Sequence, residues 1–413
     1  MPLILPFAGL RPADGRAADV AAPPYDVLNT EEARSQAKTR QWSFLHVSKP
    51  EIDLPPGTNP YGPSVYEKGR DNFLRMINED VLVRDETDCL YIYRLTMGTH
   101  TQVGLVAAAS VAAYDQNRIR KHELTRPDKE DDRVRHIDAL NAQTGPVFLT
   151  YRHNDYVDGI VAGITGSEPQ IDITTTDDVQ HTLWAVWNAE TVRALTSAFN
   201  GIDYLYIADG HHRSAAASRV AKMRAETIAD QTCEKSYNYF LSVIFPDNQT
   251  RILDYNRVVR DLNGLSPQKF LKQISERFHI YVKEGPVKPD AKGQFGMYLD
   301  QCWHRLQIKS DPVTADDPAA RLDVSLLSAN ILEPLLGITD LRRDKRINFV
   351  GGIRGLKELE RLVDSGEMAV AFSMFPTSME ELMAVAEAGQ VMPPKSTWFE
   401  PKLADGLVSY ILD

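Results

Sequence analysis

The chain has 413 residues, 43% hydrophobic and 25% charged, with a formal net charge of −11. That length suits two or three folded units with real cores, and the balance excludes a fibrous repeat or a chain disordered throughout. The acidic excess argues against nucleic acid as a partner, because phosphate contacts need clustered Lys and Arg, and the basic runs at 117–121 and 341–346 are short.

The N-terminus lacks a basic stretch and is broken by Pro2 and Pro6, so it does not read as a signal peptide. No apolar run approaches the ~20 residues needed to cross a bilayer. Cys89, Cys233 and Cys302 are odd in number and far apart, which disfavours a disulfide framework or a zinc knuckle and fits a reducing compartment. The expectation is a cytoplasmic protein without a membrane partner.

In chain order, residues 30–40 predict a short helix opened by a Thr cap and acidic residues. The five prolines of 50–63 predict a rigid exposed loop, and helical periodicity returns over 64–78. Alternation over 89–97 and an apolar run over 102–113 predict two strands joined by a turn at Gly98. A charged segment over 118–135 precedes a helix through Ile137 and Leu140, and Val147–Tyr151 is a short strand. Two strands are expected within 170–188, then a helix over 190–199, a buried strand at 204–208 and an Ala-rich helix to about Ala229. Residues 236–255 read as a hairpin turning at Pro246. Beyond Leu265 a ferredoxin-like alternation is expected, with helices near 266–278, 323–334, 355–364 and 378–387 and strands near 279–283, 295–299, 304–309 and 368–375. The fold class is α+β (mixed α/β), with a domain boundary placed at 255/256: a region 1–255 and a C-terminal region 256–413.

The sharpest motif runs from Ile202 through Asp209, Gly210, His211, His212, Arg213 and Ser214 into Ala215–Ala217. A strand, a turn and a helix in that order leave the first helical amides free, and these carry partial positive charge. Gly210 permits a backbone that side chains would block, and Arg213 supplies a forked donor for phosphate oxygens. The result is an anion cradle. The plainer alternative is that Asp209 caps the helix and the two histidines are ordinary loop residues.

Three further segments stand out. His122–Glu123 through Asp131–Asp132–Arg133 is either a solvated helix start or the rim of a phosphate site. In the second reading Arg126 and Arg133 reach phosphates, Glu123 is the base for a substrate hydroxyl, His122 lines the substrate, and Asp131 and Asp132 hold magnesium through water. Pro23–Pro24–Tyr25–Asp26 is a stiff turn that presents Tyr25 and Asp26 to a substrate or base. Pro393–Pro394–Lys395–Ser396–Thr397 is no Walker loop, since its prolines remove the amides, but Lys395 can meet an anion as a point charge.

These four segments, spread over residues 22–397, resemble a widespread prokaryotic family catalogued as domain of unknown function 1015. The Asp209–Arg213 box is similar to the one that ParB-type nucleotide hydrolases, sulfiredoxins and free-serine kinases place at a helix start. The resemblance implies a ParB/sulfiredoxin-like nucleotide-binding core with added strands. It also implies ATP or ADP, with Mg2+, as cofactor. The activity it implies is phosphoryl transfer to a small hydroxyl metabolite such as free serine, with Glu123, Asp209 and His211 as catalytic residues and Gly210, His211, His212, Arg213 and Ser214 holding the nucleotide. A ParB-like nucleotide-hydrolysing switch acting on a protein partner is the alternative, and a homodimer is compatible with either. A sulfiredoxin-like repair enzyme would need a thiol beside the box, where His211 stands instead.

Overall fold

A computed structural model describes residues 2–227, 235–309 and 317–412. The expected helix end near Ala229, and Cys233, lie outside the described residues. The chain divides into two compact units, Met1–Thr250 with Pro401–Asp413, and Arg251–Glu400. Residues 401–413, expected within a C-terminal region 256–413, return to the first unit. They are held there by bridges from Leu10 to Ser409 and from Ala22 to Asp405, and by pairing of Tyr410–Ile411 with Ala142–Gln143. Such long-range pairings leave no local signal.

The first unit is built on a nine-stranded mixed sheet. Its strands are β1 (Ile4–Leu5), β2 (Leu90–Met97), β3 (His100–Ser110), β4 (Ile119–Arg120), β5 (Val147–Tyr151), β6 (Ile171–Thr174), β7 (Val179–Val186), β8 (Leu205–Asp209) and β9 (Tyr239–Pro246). The spatial order is β4-β8-β5-β9-β3-β2-β7-β6, with β1 alongside β3. Among the described residues, β8–β4 and β9–β5 are the parallel pairs of this sheet. β2 and β3 form the expected tight hairpin, Met97 opposite His100. The expected 236–255 hairpin does not form: β9 pairs with β3 and β5, and the chain then passes into the second unit. An apolar stretch of the right length around a turn cannot by itself name its partner strand.

The longer helices described in this unit are α1 (Thr30–Ala37), α2 (Pro63–Asn78), α3 (Pro127–Leu140), α4 (Asp155–Thr165), α5 (Ala189–Asn200) and α6 (His211–Thr227). α1 starts on a capping box in which Asn29 Oδ1 accepts from the Glu32 amide (2.9 Å) and Glu32 Oε2 accepts from the Asn29 amide (2.8 Å). α3 takes in the second half of the charged segment 118–135, where a helix start was one of the two expectations. Pro127 suits its first turn, and it buries Val134, Ile137 and Leu140 together with Asp132 and His136. The expected exposed loop at 50–63 begins as a 3-10 turn, Pro50–Asp53, with Pro50, Glu51 and Ile52 buried. α6 buries Ala216, Ala217, Val220 and Ala221, small side chains that let it lie close to α3. Arg219 pairs with Glu130 and Asp131, and Arg224 with Asp138, across that contact. α4 was missed because its acidic and glycine positions blur the period.

The second unit holds a six-stranded antiparallel sheet. Its strands are β10 (Tyr255–Val259), β11 (Phe278–Lys283), β12 (Gln294–Leu299), β13 (Cys302–Ile308), β14 (Ile347–Gly351) and β15 (Val370–Ser373), in the order β11-β13-β12-β15-β10-β14. Helices Pro267–Arg277, Leu356–Asp364 and Met379–Glu387 fall where the periodicity placed them. Leu359 and Leu362 pack with Val258, Tyr298, Trp303 and Ala371 in this unit's core. Among the described residues no helix is long and apolar enough to cross a membrane.

Candidate functional site

β8 delivers the chain, fully buried to Ala208, into a one-residue turn and then α6. Gly210 adopts φ +97°, and a Cβ there would stand 3.3 Å from the Val147 Cα of β5. The positive φ favours glycine, and a Cβ would also press on β5. The Gly210 amide donates to Asp209 Oδ1 (2.8 Å) and the Ser214 amide to the Gly210 carbonyl (3.0 Å). The amides of His211, His212 and Arg213 are left without an intrahelical acceptor. Gly210→Ala is expected to cost about 1–3 kcal/mol, read as a lowered urea midpoint, from backbone strain and the approach to β5; an unchanged midpoint would show that the turn relaxes freely.

Three side chains converge beside this turn. The His122 amide donates to His211 Nε2 (3.5 Å), so the His211 proton belongs on Nδ1, which lies 3.9 Å from Glu123 Oε2. Burial holds His211 well below the usual imidazole range, helped by the neighbouring His122, and burial lowers His122 to about 4. Both rings are therefore neutral at neutral pH. They meet edge to face with centroids 4.4 Å apart. Glu123 remains partly exposed, with a neutral imidazole N–H turned toward it. At 3.9 Å the imidazole and the carboxylate are neighbours without a direct hydrogen bond. His122, expected to touch substrate, is instead buried beneath His211.

Asp209 is fixed rather than reactive. Lys402 Nζ donates to its Oδ2 (2.9 Å). Burial alone would raise this carboxyl, but Lys402 and Arg213 outweigh it and keep it well below the ordinary carboxylate range. Proton transfer by Asp209 does not fit that geometry; holding the turn does. His212 Nε2 accepts from the Arg126 amide (3.0 Å), tying the start of α3 to the start of α6. The Ser214 hydroxyl donates back to the His211 carbonyl (3.1 Å) and is buried, so it faces away from any phosphate.

Arg213 turns inward. Its Nη1 donates to the Pro146 carbonyl (3.0 Å), and its Nη2 lies 3.6 Å from Asp26 Oδ1. The Tyr25 ring has the Arg133 guanidinium 3.8 Å from its centroid and that of Arg213 at 5.3 Å. Its expected role as an open platform for a base is therefore lost to stacked arginine. Burial pushes the Tyr25 phenol up to about 12, with Arg133 pulling the other way. Behind these groups is a cavity of ≈ 30 Å³ lined by Arg133, Arg213, Tyr25, Ser48 and Asp405. Ser48 Oγ, Arg213 Nη2 and Asp405 Oδ1 have no hydrogen-bond partner among the described residues. A space of that size takes a water molecule. It does not take the polyphosphate expected beside Arg213, so any nucleotide must lie on the outer face of the turn.

The carboxylates expected to bind magnesium are drawn to different partners. Asp132 accepts from the Tyr66 hydroxyl (2.9 Å) and from Arg133 (2.7 Å), while Asp131 pairs with Arg219 (2.7 Å). Adjacent on a helix and already neutralised, they do not fit a shared cation, and no group of three metal-binding side chains occurs among the described residues. Arg133, bound to Asp132 and stacked on Tyr25, is not available to a phosphate either. The Arg126 guanidinium is exposed and grips Asp128 (2.8 Å) at the rim. Lys395 belongs to the second unit, where its ammonium lies 5.7 Å from the Tyr255 ring centroid. Of the cysteines, Cys89 is buried, with burial raising its thiol to about 11, and Cys302 is in the second unit.

A family model described as "Protein of unknown function (DUF1015)" matches residues 4–325. The chain belongs to this family. No curated protein sequence matches it. Among solved structures, a free serine kinase mutant in complex with AMP is similar at 12% identity and TM-score 0.35, over 73% of this chain and 92% of that one. A conserved hypothetical protein from Pyrococcus furiosus is similar at 14% identity and TM-score 0.33, over 73% and 95%. SbnI from Staphylococcus aureus with a C-terminal truncation follows at 10% identity and TM-score 0.31, over 73% and 85%. In this DUF1015 chain the motif residues Tyr25, Asp26, His122, Glu123, Arg133, Asp209 and Arg213 do fall in one neighbourhood. Lys402 and Asp405 join them without any sequence signal beyond being charges in an apolar C-terminal stretch.

Proposed function

We propose that the chain binds a nucleotide, ATP or ADP, on the outer face of the β8–α6 turn and transfers a phosphoryl group to the hydroxyl of a small metabolite. On this reading the first unit is a ParB/sulfiredoxin-like nucleotide-binding core. The observation that carries it is the glycine turn at 210, whose open helical amides lie beside a partly exposed carboxylate, Glu123. Helix N-termini of this kind favour phosphate through aligned amides and partial charge.

The amides of His211, His212 and Arg213 receive phosphate oxygens, and the exposed Arg126 guanidinium closes over them once released from Asp128. Arg213 anchors the turn from behind. Glu123 takes the proton of the acceptor hydroxyl as its oxygen bonds to the terminal phosphorus and the bridging oxygen leaves with the nucleotide. His211 positions Glu123. Phosphoryl transfer is mostly positioning and charge neutralisation, which such parts provide. Asp131 and Asp132 supply no step.

The test is incubation of the full chain with ATP or ADP, a magnesium salt and a panel of hydroxyl metabolites, free serine first, with products read by mass spectrometry. A phosphorylated acceptor is expected. Hydrolysis with no acceptor product would move the reading to a nucleotide switch, and absence of any nucleotide binding would end both.

A further inference from the structure

A second polar groove, of ≈ 740 Å³, lies in the first unit and includes none of the residues of the β8–α6 turn. Five cations line it, Arg16, Lys38, Arg40, Lys68 and Arg75, against two carboxylates, Asp19 and Asp53. In a chain with a net charge of −11 this is a reversal of sign. The carboxylates do not balance it. Asp53 hydrogen-bonds His46 Nδ1 (2.8 Å) and Asn72 Nδ2 (2.7 Å) and attracts Lys68, and Asp19 pairs with Arg16 (3.3 Å), so the groove keeps three cations in excess.

Two of the cations have structural work. Arg40 Nη2 donates to the carbonyls of Ala18 (2.6 Å) and Ala21 (3.2 Å), ending the short helix Ala17–Val20. Arg75 donates to the Gln41 carbonyl (3.2 Å) and lies 4.9 Å from the Trp42 ring centroid. Lys38 is exposed, and Lys68 is half-buried with Asp53 as its electrostatic neighbour; neither makes a close ion pair or hydrogen bond among the described residues. Lys68, Asn72 and Arg75 are spaced i, i+4 and i+7 on α2, so one helix face presents them together. Like charges gathered in a concave site repel one another and concentrate anions from solution. The volume is that of a small-molecule site.

We propose that this groove binds a phosphorylated small molecule, its phosphate held between the Lys38 and Lys68 ammoniums, with Trp42 in the same lining. Lysine ammoniums serve phosphate as point charges, and the Trp42 indole, packed on the core and beside Arg75, lies in the same lining and reports on it. The inference is independent of the nucleotide reading, since no group of the β8–α6 turn takes part.

The test follows the Trp42 indole resonance in the isotope-labelled full chain, assigned through Trp42→Phe, during titration with pyrophosphate. The indole is expected to shift, and the Lys38→Ala/Lys68→Ala double variant, with an unchanged melting point, to need about tenfold more pyrophosphate for the same shift. An indole that does not respond overturns the proposal. So does a double variant that titrates like the wild type. Citrate moving the indole as effectively as pyrophosphate would overturn the choice of phosphate. Each readout is local to the groove, so the outcome stands whether or not the chain transfers phosphate.

Discussion

Glu123→Gln is expected to lower phosphoryl transfer by about 10²–10⁴-fold while leaving nucleotide affinity unchanged. The substitution keeps the side chain's size and its place beside His211 Nδ1, 3.9 Å away, but removes the ability to accept a proton. The phosphate contacts of the proposal are backbone amides, which the change does not touch. Loss should therefore fall on kcat rather than on nucleotide binding. The partner variant is His211→Asn. It should lower kcat and move the limb of the pH–rate profile that reports Glu123, because a neutral imidazole no longer stands beside the carboxylate. Single-turnover kinetics with calorimetric nucleotide binding separates the two effects. Equal turnover in Glu123→Gln would reassign the base, and Asp26, half-exposed and 3.6 Å from Arg213, would be the next carboxylate to try.

What the sequence made legible was local. The turn at Gly210 is written in adjacent residues: a buried strand, a glycine, then alanines that allow close helix packing. The β2–β3 hairpin is likewise a matter of alternation around Gly98. What was illegible was whatever depended on distant partners. Nothing around Asp131 or Asp132 says that one will be neutralised by Arg219 and the other by Arg133 and Tyr66, so two acidic residues in a row looked like a metal site. Arg133 and Arg213 were read as phosphate ligands because a guanidinium's chemistry suits phosphate; packing instead places both around the Tyr25 ring. Lys402 reaches Asp209 across 193 positions of sequence, a contact that no window could contain.

The same inward-facing cluster sets the second large expectation, that Arg213→Met destabilises the chain by about 3–5 kcal/mol at neutral to alkaline pH. Arg213 is the cation nearest both Asp26 and the buried Asp405. Burial pushes the Asp405 carboxyl up to about 7, with Arg213 the main influence lowering it. A carboxyl raised in the folded state contributes stability in full below its unfolded value and loses it as pH rises through the folded one. Wild type should thus weaken as the pH climbs toward about 7, then level off with Asp405 ionised against Arg213. Without the guanidinium, the folded chain must either keep Asp405 protonated at higher pH or bury its charge unpaired, so the decline continues further. The cost of Arg213→Met should accordingly be larger near about pH 8 than near about pH 5, where Asp405 is neutral in either protein. Asp405→Asn, added to Arg213→Met, removes the charge in question and should recover much of the loss at the higher pH. Urea unfolding of the two single variants, the double variant and the wild type at both pH values measures this coupling directly. A loss that is the same at both pH values and is untouched by Asp405→Asn would mean that Arg213 acts through packing on Tyr25 and the Pro146 carbonyl alone, with the carboxylates as bystanders.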